Sequence, residues 1–107
     1  MDIARLAENL GLEAEDFSEL FELYMQTTST YLEDLKAALA TGDAEEIHKK
    51  AHSIKGASGN LGFDELYNMA TEIDDQARDA SLDGLEEMVR SFHQKFEEMV
   101  LEFKSIS

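Results

Sequence analysis

His48 and His52 stand one helical turn apart, interleaved with Lys49, Lys50 and Lys55 and followed by Gly56 and Gly59. An imidazole can relay a proton, bind a metal ion or carry a covalent phosphoryl group, and its neighbours select among these. The i, i+4 spacing of the two histidines is one that can hold zinc on a helix. The chain, however, has no cysteine, no glutamate adjoins either ring, and three ammonium groups repel a cation, so no metal is expected here. Proton relay needs neither a cleared surface nor a cationic surround. A phosphoryl group on His52 benefits from both. Lys49 and Lys55, three residues before and after it, lie within reach of negative oxygens attached to the ring. Nearby cations also favour the neutral, nucleophilic form of an imidazole.

The glycines supply the cleared surface. At about 100° per residue, with Ile47, Ala51, Ile54, Ser58 and Leu61 as the inward stripe at zero, His52 lies at about 140°, Gly56 at about 180°, Gly59 at about 120° and Lys55 at about 80°. His52 therefore points outward, with bare backbone one and two turns further along. Two mid-helix glycines cost about 1 kcal/mol each relative to alanine, which a helix used only for packing avoids. A lone exposed histidine is ordinarily a plain surface residue. The glycine face and Lys55 are what single out His52.

Charge marks the same window. The 107 residues carry a formal net charge of −15. Residues 1–46 hold 12 acids and 2 bases, and residues 63–107 hold 12 acids and 4 bases. Residues 47–62 hold no acid, three lysines and two of the three histidines, a +3 island in a −18 surround. So acidic an exterior repels phosphate backbones and anionic leaflets, and neither nucleic acid nor a membrane is an expected partner. No apolar run approaches the roughly 20 residues of a membrane span, and Met1-Asp2-Ile3-Ala4-Arg5 is no secretory leader. A cytoplasmic, soluble protein is expected, and the absence of cysteine fits a reducing compartment.

The elements that must position these residues are helices. Phe17, Leu20, Phe21, Tyr24, Thr28, Tyr31, Leu35 and Ala38 trace one face of a helix of about 26 residues, ended by Thr41-Gly42. Asp43, with Glu46 three residues on, starts the next as a capping box, and Gly62 stands where a C-terminal cap glycine belongs. Leu66, Met69, Ala70, Ile73 and Ala77 trace a third long helix. Leu85, Met88, Val89, Phe92, Phe96, Met99, Val100 and Phe103 trace a fourth, with Asp83 and Glu86 as its expected cap. Ile3, Leu6, Ala7 and Leu10, closed by Gly11, form a short piece before all of these. No segment alternates at period two. The expected fold is all-α: an antiparallel four-helix bundle with a short extra N-terminal helix, residues 1–107 forming a single domain.

The remaining candidates carry less. His93, beside Phe92, is expected to be a half-buried edge residue. The methionines sit mostly at core positions, and Met25, just off its stripe, suits an apolar docking rim. No glycine-rich phosphate loop, G-x-S-x-G or catalytic carboxylate pair is present, so no nucleotide site of the chain's own is expected. A phosphoryl group on His52 must then come from another protein.

Ala51-His52-Ser53-Ile54-Lys55-Gly56-Ala57-Ser58-Gly59-Asn60-Leu61-Gly62 resembles the signature of histidine-containing phosphotransfer (HPt) domains, which runs His, any, Leu/Ile, Lys, Gly, small, Ser/Ala, with a further Gly six residues after the Lys-Gly pair. The likeness extends over nearly the whole chain, helix by helix. It implies that His52 accepts a phosphoryl group from the aspartyl phosphate of one response-regulator receiver domain and donates it to another. It implies that Lys55 steadies the phosphoryl charge, and that Gly56 and Gly59 admit the receiver's acidic pocket with its Mg2+, no cofactor belonging to this chain. Some members of the family place a glutamine on the third helix against the other ring nitrogen; the matching position here is Asp74.

The resemblance therefore implies a freestanding, monomeric phosphocarrier of a multistep phosphorelay, not an enzyme, whose partners are response-regulator receiver domains, a hybrid histidine kinase, or both. Two alternatives stand beside it. One is a binding bundle that docks on receiver or kinase domains without carrying phosphate, against which the presence of His52 speaks. The other is the phosphodonor domain of a larger chemotaxis-type kinase, against which the start at Met1 and the end at Ser107 speak.

Overall fold

In the computed structural model, residues 1–106 are described, and Ser107, the last residue of the expected domain, lies outside the described residues. Five α-helices follow one another: α1 (Ile3–Asn9), α2 (Ala14–Thr41), α3 (Ala44–Asn60), α4 (Asp64–Arg78) and α5 (Leu85–Ile106), with no strand among the described residues. The joints between them follow from local chemistry. Gly42 ends α2 in the left-handed conformation (φ 71°), which only glycine adopts without strain. Asp43 then caps α3 by accepting from the Glu46 N–H. Gly62, also left-handed (φ 79°), turns the chain after α3, so that α4 starts at Asp64.

One joint differs from expectation. Asp83 was expected to cap α5 through its side chain. Instead Gly84 takes the left-handed conformation (φ 77°) immediately before the helix, and the Asp83 carbonyl accepts a hydrogen bond from the Gln76 side chain. The tie runs back to α4 rather than forward into α5.

Contacts run from α2 to α3, α3 to α4, α4 to α5 and α5 back to α2, closing a ring, and α1 lies against α2. The apolar faces of all five helices meet inside. Phe21 stacks on Phe103 with ring centroids 4.2 Å apart, while Phe63, in the α3–α4 joint, stands edge-on to Phe17, Phe21 and Tyr24. Burying such rings removes the most apolar area per residue, and edge-to-face pairs add about 0.5–1.5 kcal/mol each. Phe63 therefore anchors the end of α3 from which the glycine face rises. On α2 the buried set is shifted from the expected stripe: Leu20 is exposed and Leu32 is buried. Tyr31 stays half-buried because the Lys50 ammonium lies over its ring, 5.5 Å from the centroid.

Candidate functional site

The rotation of α3 about its axis decides what can reach His52. Ile47, Ala51, Ile54 and Ser58 are buried, as the 3.6-residue period requires. Ser58 Oγ and Tyr24 Oη share a buried hydrogen bond of 2.8 Å, tying α3 to α2. Burial pushes the Tyr24 hydroxyl up to about 12, so it stays protonated at this position. Lys50 makes a second tie with ion pairs to Asp34 (3.4 Å) and Glu46 (3.6 Å). Held to α2 through Ser58 and Lys50, α3 turns the His52 side chain outward, 63% exposed.

Beneath His52 lies a buried carboxylate. Asp74 falls on the inward stripe of α4, and its side chain is 0% exposed. Its Oδ1 meets His48 Nδ1. Its Oδ2 is 3.2 Å from His52 Nδ1 and 3.4 Å from an Arg78 guanidinium nitrogen. Burial by itself pushes the Asp74 carboxyl up. Hydrogen bonds from His48 and His52, with the charges of His48 and Arg78, more than offset this and hold it below its ordinary range. Asp74 is therefore an anion, and an ionised carboxylate only accepts hydrogen bonds. Both histidines must then donate from Nδ1. A neutral His52 consequently carries its lone pair on Nε2, the ring nitrogen not committed to Asp74.

The lysines and glycines divide the rim between them. Lys55 Nζ lies over the Tyr67 ring of α4, 5.9 Å from its centroid. Lys49 is exposed and pairs with Glu45 at 3.6 Å along α3 itself. At Gly56 a Cβ would meet no atom within 4 Å. Gly59 differs: a Cβ there would lie 3.0 Å from Tyr67 Cδ2 and 3.3 Å from Cε2. Gly56 leaves open surface, whereas Gly59 seats the ring that underlies Lys55.

The structure thus places His52, Asp74, Lys55, Gly56 and Gly59 along the α3–α4 face, with Lys49 on the surface of α3. Sequence reasoning missed three contributors: His48, Arg78 and Tyr67. The available signal was Asp74 itself, since an acid at a core register needs buried donors. Met25 is half-buried against the core. His93, expected to be an isolated edge residue, lies at the edge but bridges two helices, with Lys36 of α2 at Nδ1 and Glu97 at Nε2 (3.2 Å).

A family model described as Hpt domain matches residues 19–105. The crystal structure of histidine-containing phosphotransfer protein B from Pseudomonas aeruginosa PAO1 is similar to this chain with a TM-score of 0.84 and 27% sequence identity, over 96% of this chain and 87% of that one. A comparison with curated protein sequences finds no match.

Proposed function

Because the chain belongs to the Hpt domain family, whose work is histidine phosphotransfer in phosphorelays, we propose that His52 is the residue that carries the phosphoryl group. The observation that carries this reading is the pairing of His52 Nδ1 with the buried Asp74 carboxylate, which leaves Nε2 as the free lone pair on an exposed ring.

The reaction needs no proton donor at this site. The Nε2 lone pair attacks the phosphorus of a receiver's aspartyl phosphate in line. An N–P bond forms, the P–O bond to the receiver's aspartate breaks, and that aspartate leaves as a carboxylate. The His52 ring gains positive charge while its Nδ1–H stays on Asp74, whose anion stabilises it. Lys55 approaches the phosphoryl oxygens from its seat on Tyr67. Reversal of the same steps onto a second receiver completes the carrier's cycle.

Hpt proteins interact with receiver domains and histidine kinases, and Gly56 is the open surface on which this chain would admit a receiver. Mg2+ belongs to the receiver's acidic pocket, where it neutralises charge on the transferring group. Asp74, the carboxylate beneath His52, does not suit that ion, because both of its oxygens already take hydrogen bonds. The closed ring of α2, α3, α4 and α5 supports an antiparallel four-helix bundle with α1 as the short extra helix. Residues 1–107 are read as a single, monomeric, cytoplasmic domain without a nucleotide site of its own; among the described residues no helix is long and apolar enough to cross a membrane.

The test is transfer of label from a phosphorylated receiver domain. The native chain gains an acid-labile phosphoryl group and His52→Gln gains none. Full labelling of the Gln variant overturns the assignment, and docking without labelling of the native chain identifies a binding bundle instead.

A further inference from the structure

Asp74 has two oxygens and three partners, and they are unevenly divided. His52 and Arg78 share Oδ2, at 3.2 and 3.4 Å, both at the long end for N–H···O bonds. Oδ1 takes its hydrogen bond from His48, whose side chain is 31% exposed against 63% for His52. Water competes more at His52, so the bond that matters for the reaction is the one least able to hold its own geometry. The carboxylate can turn about its last side-chain bond, and Arg78, one turn along α4, is placed to draw it away from His52.

We infer that His48 is a positioning residue for phosphoryl transfer: by holding Asp74 Oδ1 it keeps Oδ2 aimed at His52 Nδ1, and so keeps the reactive lone pair on His52 Nε2. This rests on the reading of His52 as the phosphorylated residue. His48 is hydrogen-bonded to Asp74 and not to His52, the two rings lying 6.1 Å apart between centroids. It acts wholly through the shared carboxylate. A free imidazole side chain favours the proton on Nε2, the wrong tautomer for this nucleophile. A site that relies on Nδ1–H must therefore hold the acceptor in place before the partner arrives.

The experiment reads both the tautomer and the rate. Long-range 1H–15N NMR of the full chain reports which His52 nitrogen carries the proton. The native protein is expected to show Nδ1–H at neutral pH. His48→Phe keeps a ring in the same space but donates nothing. In it the His52 proton redistributes toward Nε2, and transfer from a phosphorylated receiver falls by about tenfold. His48→Asn, whose amide nitrogen falls near the position of Nδ1, restores both.

A His48→Phe protein of native helicity with an unchanged His52 tautomer and unchanged rate overturns the inference, as does a native protein whose His52 proton already sits on Nε2. Should the Phe variant lose helicity, His48→Leu is read in the same way. The two levels separate cleanly. If the native chain accepts no phosphoryl group, the reading of His52 fails, while the tautomer comparison still judges what His48 does to Asp74.

Discussion

Tyr67 of α4 lies across the open side of Gly59 of α3, so close that a methyl group on Gly59 would stand 3.0 Å from the ring. The same ring underlies the Lys55 ammonium. Gly59 is thereby the footing of a cationic side chain at the site, and its lack of a side chain serves packing inside the protein as much as access from outside.

Alanine therefore has opposite consequences at the two helical glycines. Gly56→Ala, with empty space around it, stabilises the fold by about 1 kcal/mol through helix propensity. Gly59→Ala gains less, because Tyr67 must move, and the full gain returns in a Tyr67→Ala background. A urea-denaturation double-mutant cycle over Gly59 and Tyr67 measures the coupling, and an additive result removes the contact from the account.

Bulk at Gly56 separates docking from folding. Gly56→Leu leaves the far-UV spectrum native, since nothing in the fold occupies that space, while transfer from a receiver slows by at least about tenfold. Stopped-flow transfer rates at several receiver concentrations check it. An unchanged rate would mean that the partner approaches from another side.

Lys55→Ala is expected to slow transfer by about tenfold, the effect of losing one charge-assisted contact to the phosphoryl oxygens. Its effect on stability is smaller, about 0.5–1 kcal/mol from the lost contact with Tyr67. Raising ionic strength should narrow the gap between native and variant rates, because salt screens a cation that water still reaches. Equal slopes of rate against salt would contradict this role.

Asp74 makes stability depend on pH in the acid range. Its carboxyl is lowered from 3.8 in the fold, so the stability it contributes is present above 3.8 and is lost as pH falls below that value through the folded one. Asp74→Asn flattens this acid limb. It also costs about 1–3 kcal/mol at neutral pH, because an amide offers one acceptor where two oxygens served His48 and His52. Urea titrations between acid and neutral pH measure both effects.

The burial of Tyr24 predicts the opposite limb. Tyr24 is raised from 10.0 to about 12 on folding, so its contribution is intact below 10.0 and declines as pH rises toward 12. Tyr24→Phe flattens that decline and costs about 1–2 kcal/mol by leaving Ser58 Oγ buried without its partner. Adding Ser58→Ala recovers much of the loss, which thermal melts of the two single variants and the double variant would show.

The outward position of His52 and the inward stripe of α3 were legible in the sequence because both follow from helical period within one element. So were the Gly42–Asp43 joint and the bareness of Gly56. Pairings across elements were not. His48 was weighed only as a rejected zinc ligand, since its carboxylate partner lies 26 residues away on another helix. Gly59 was read as open surface for the same reason: Tyr67 reaches it from α4. Asp74 entered only through the family resemblance; its place on the buried stripe, four residues after Ala70, went unread, and the number of donors converging on it depended on how α3 and α4 pack.

The divided character of α3 bears on how such a protein changes its associations over evolutionary time. Its inner side is committed to Ile47, Ala51, Ile54, Ser58 and the Tyr24 hydroxyl, where substitution threatens the whole fold. On its outer side, exposed positions such as Glu45 and Lys49 tolerate replacement within about 0.5 kcal/mol. Drift on that side can alter which receiver is recognised while leaving the reacting ring, and the carboxylate beneath it, where they are.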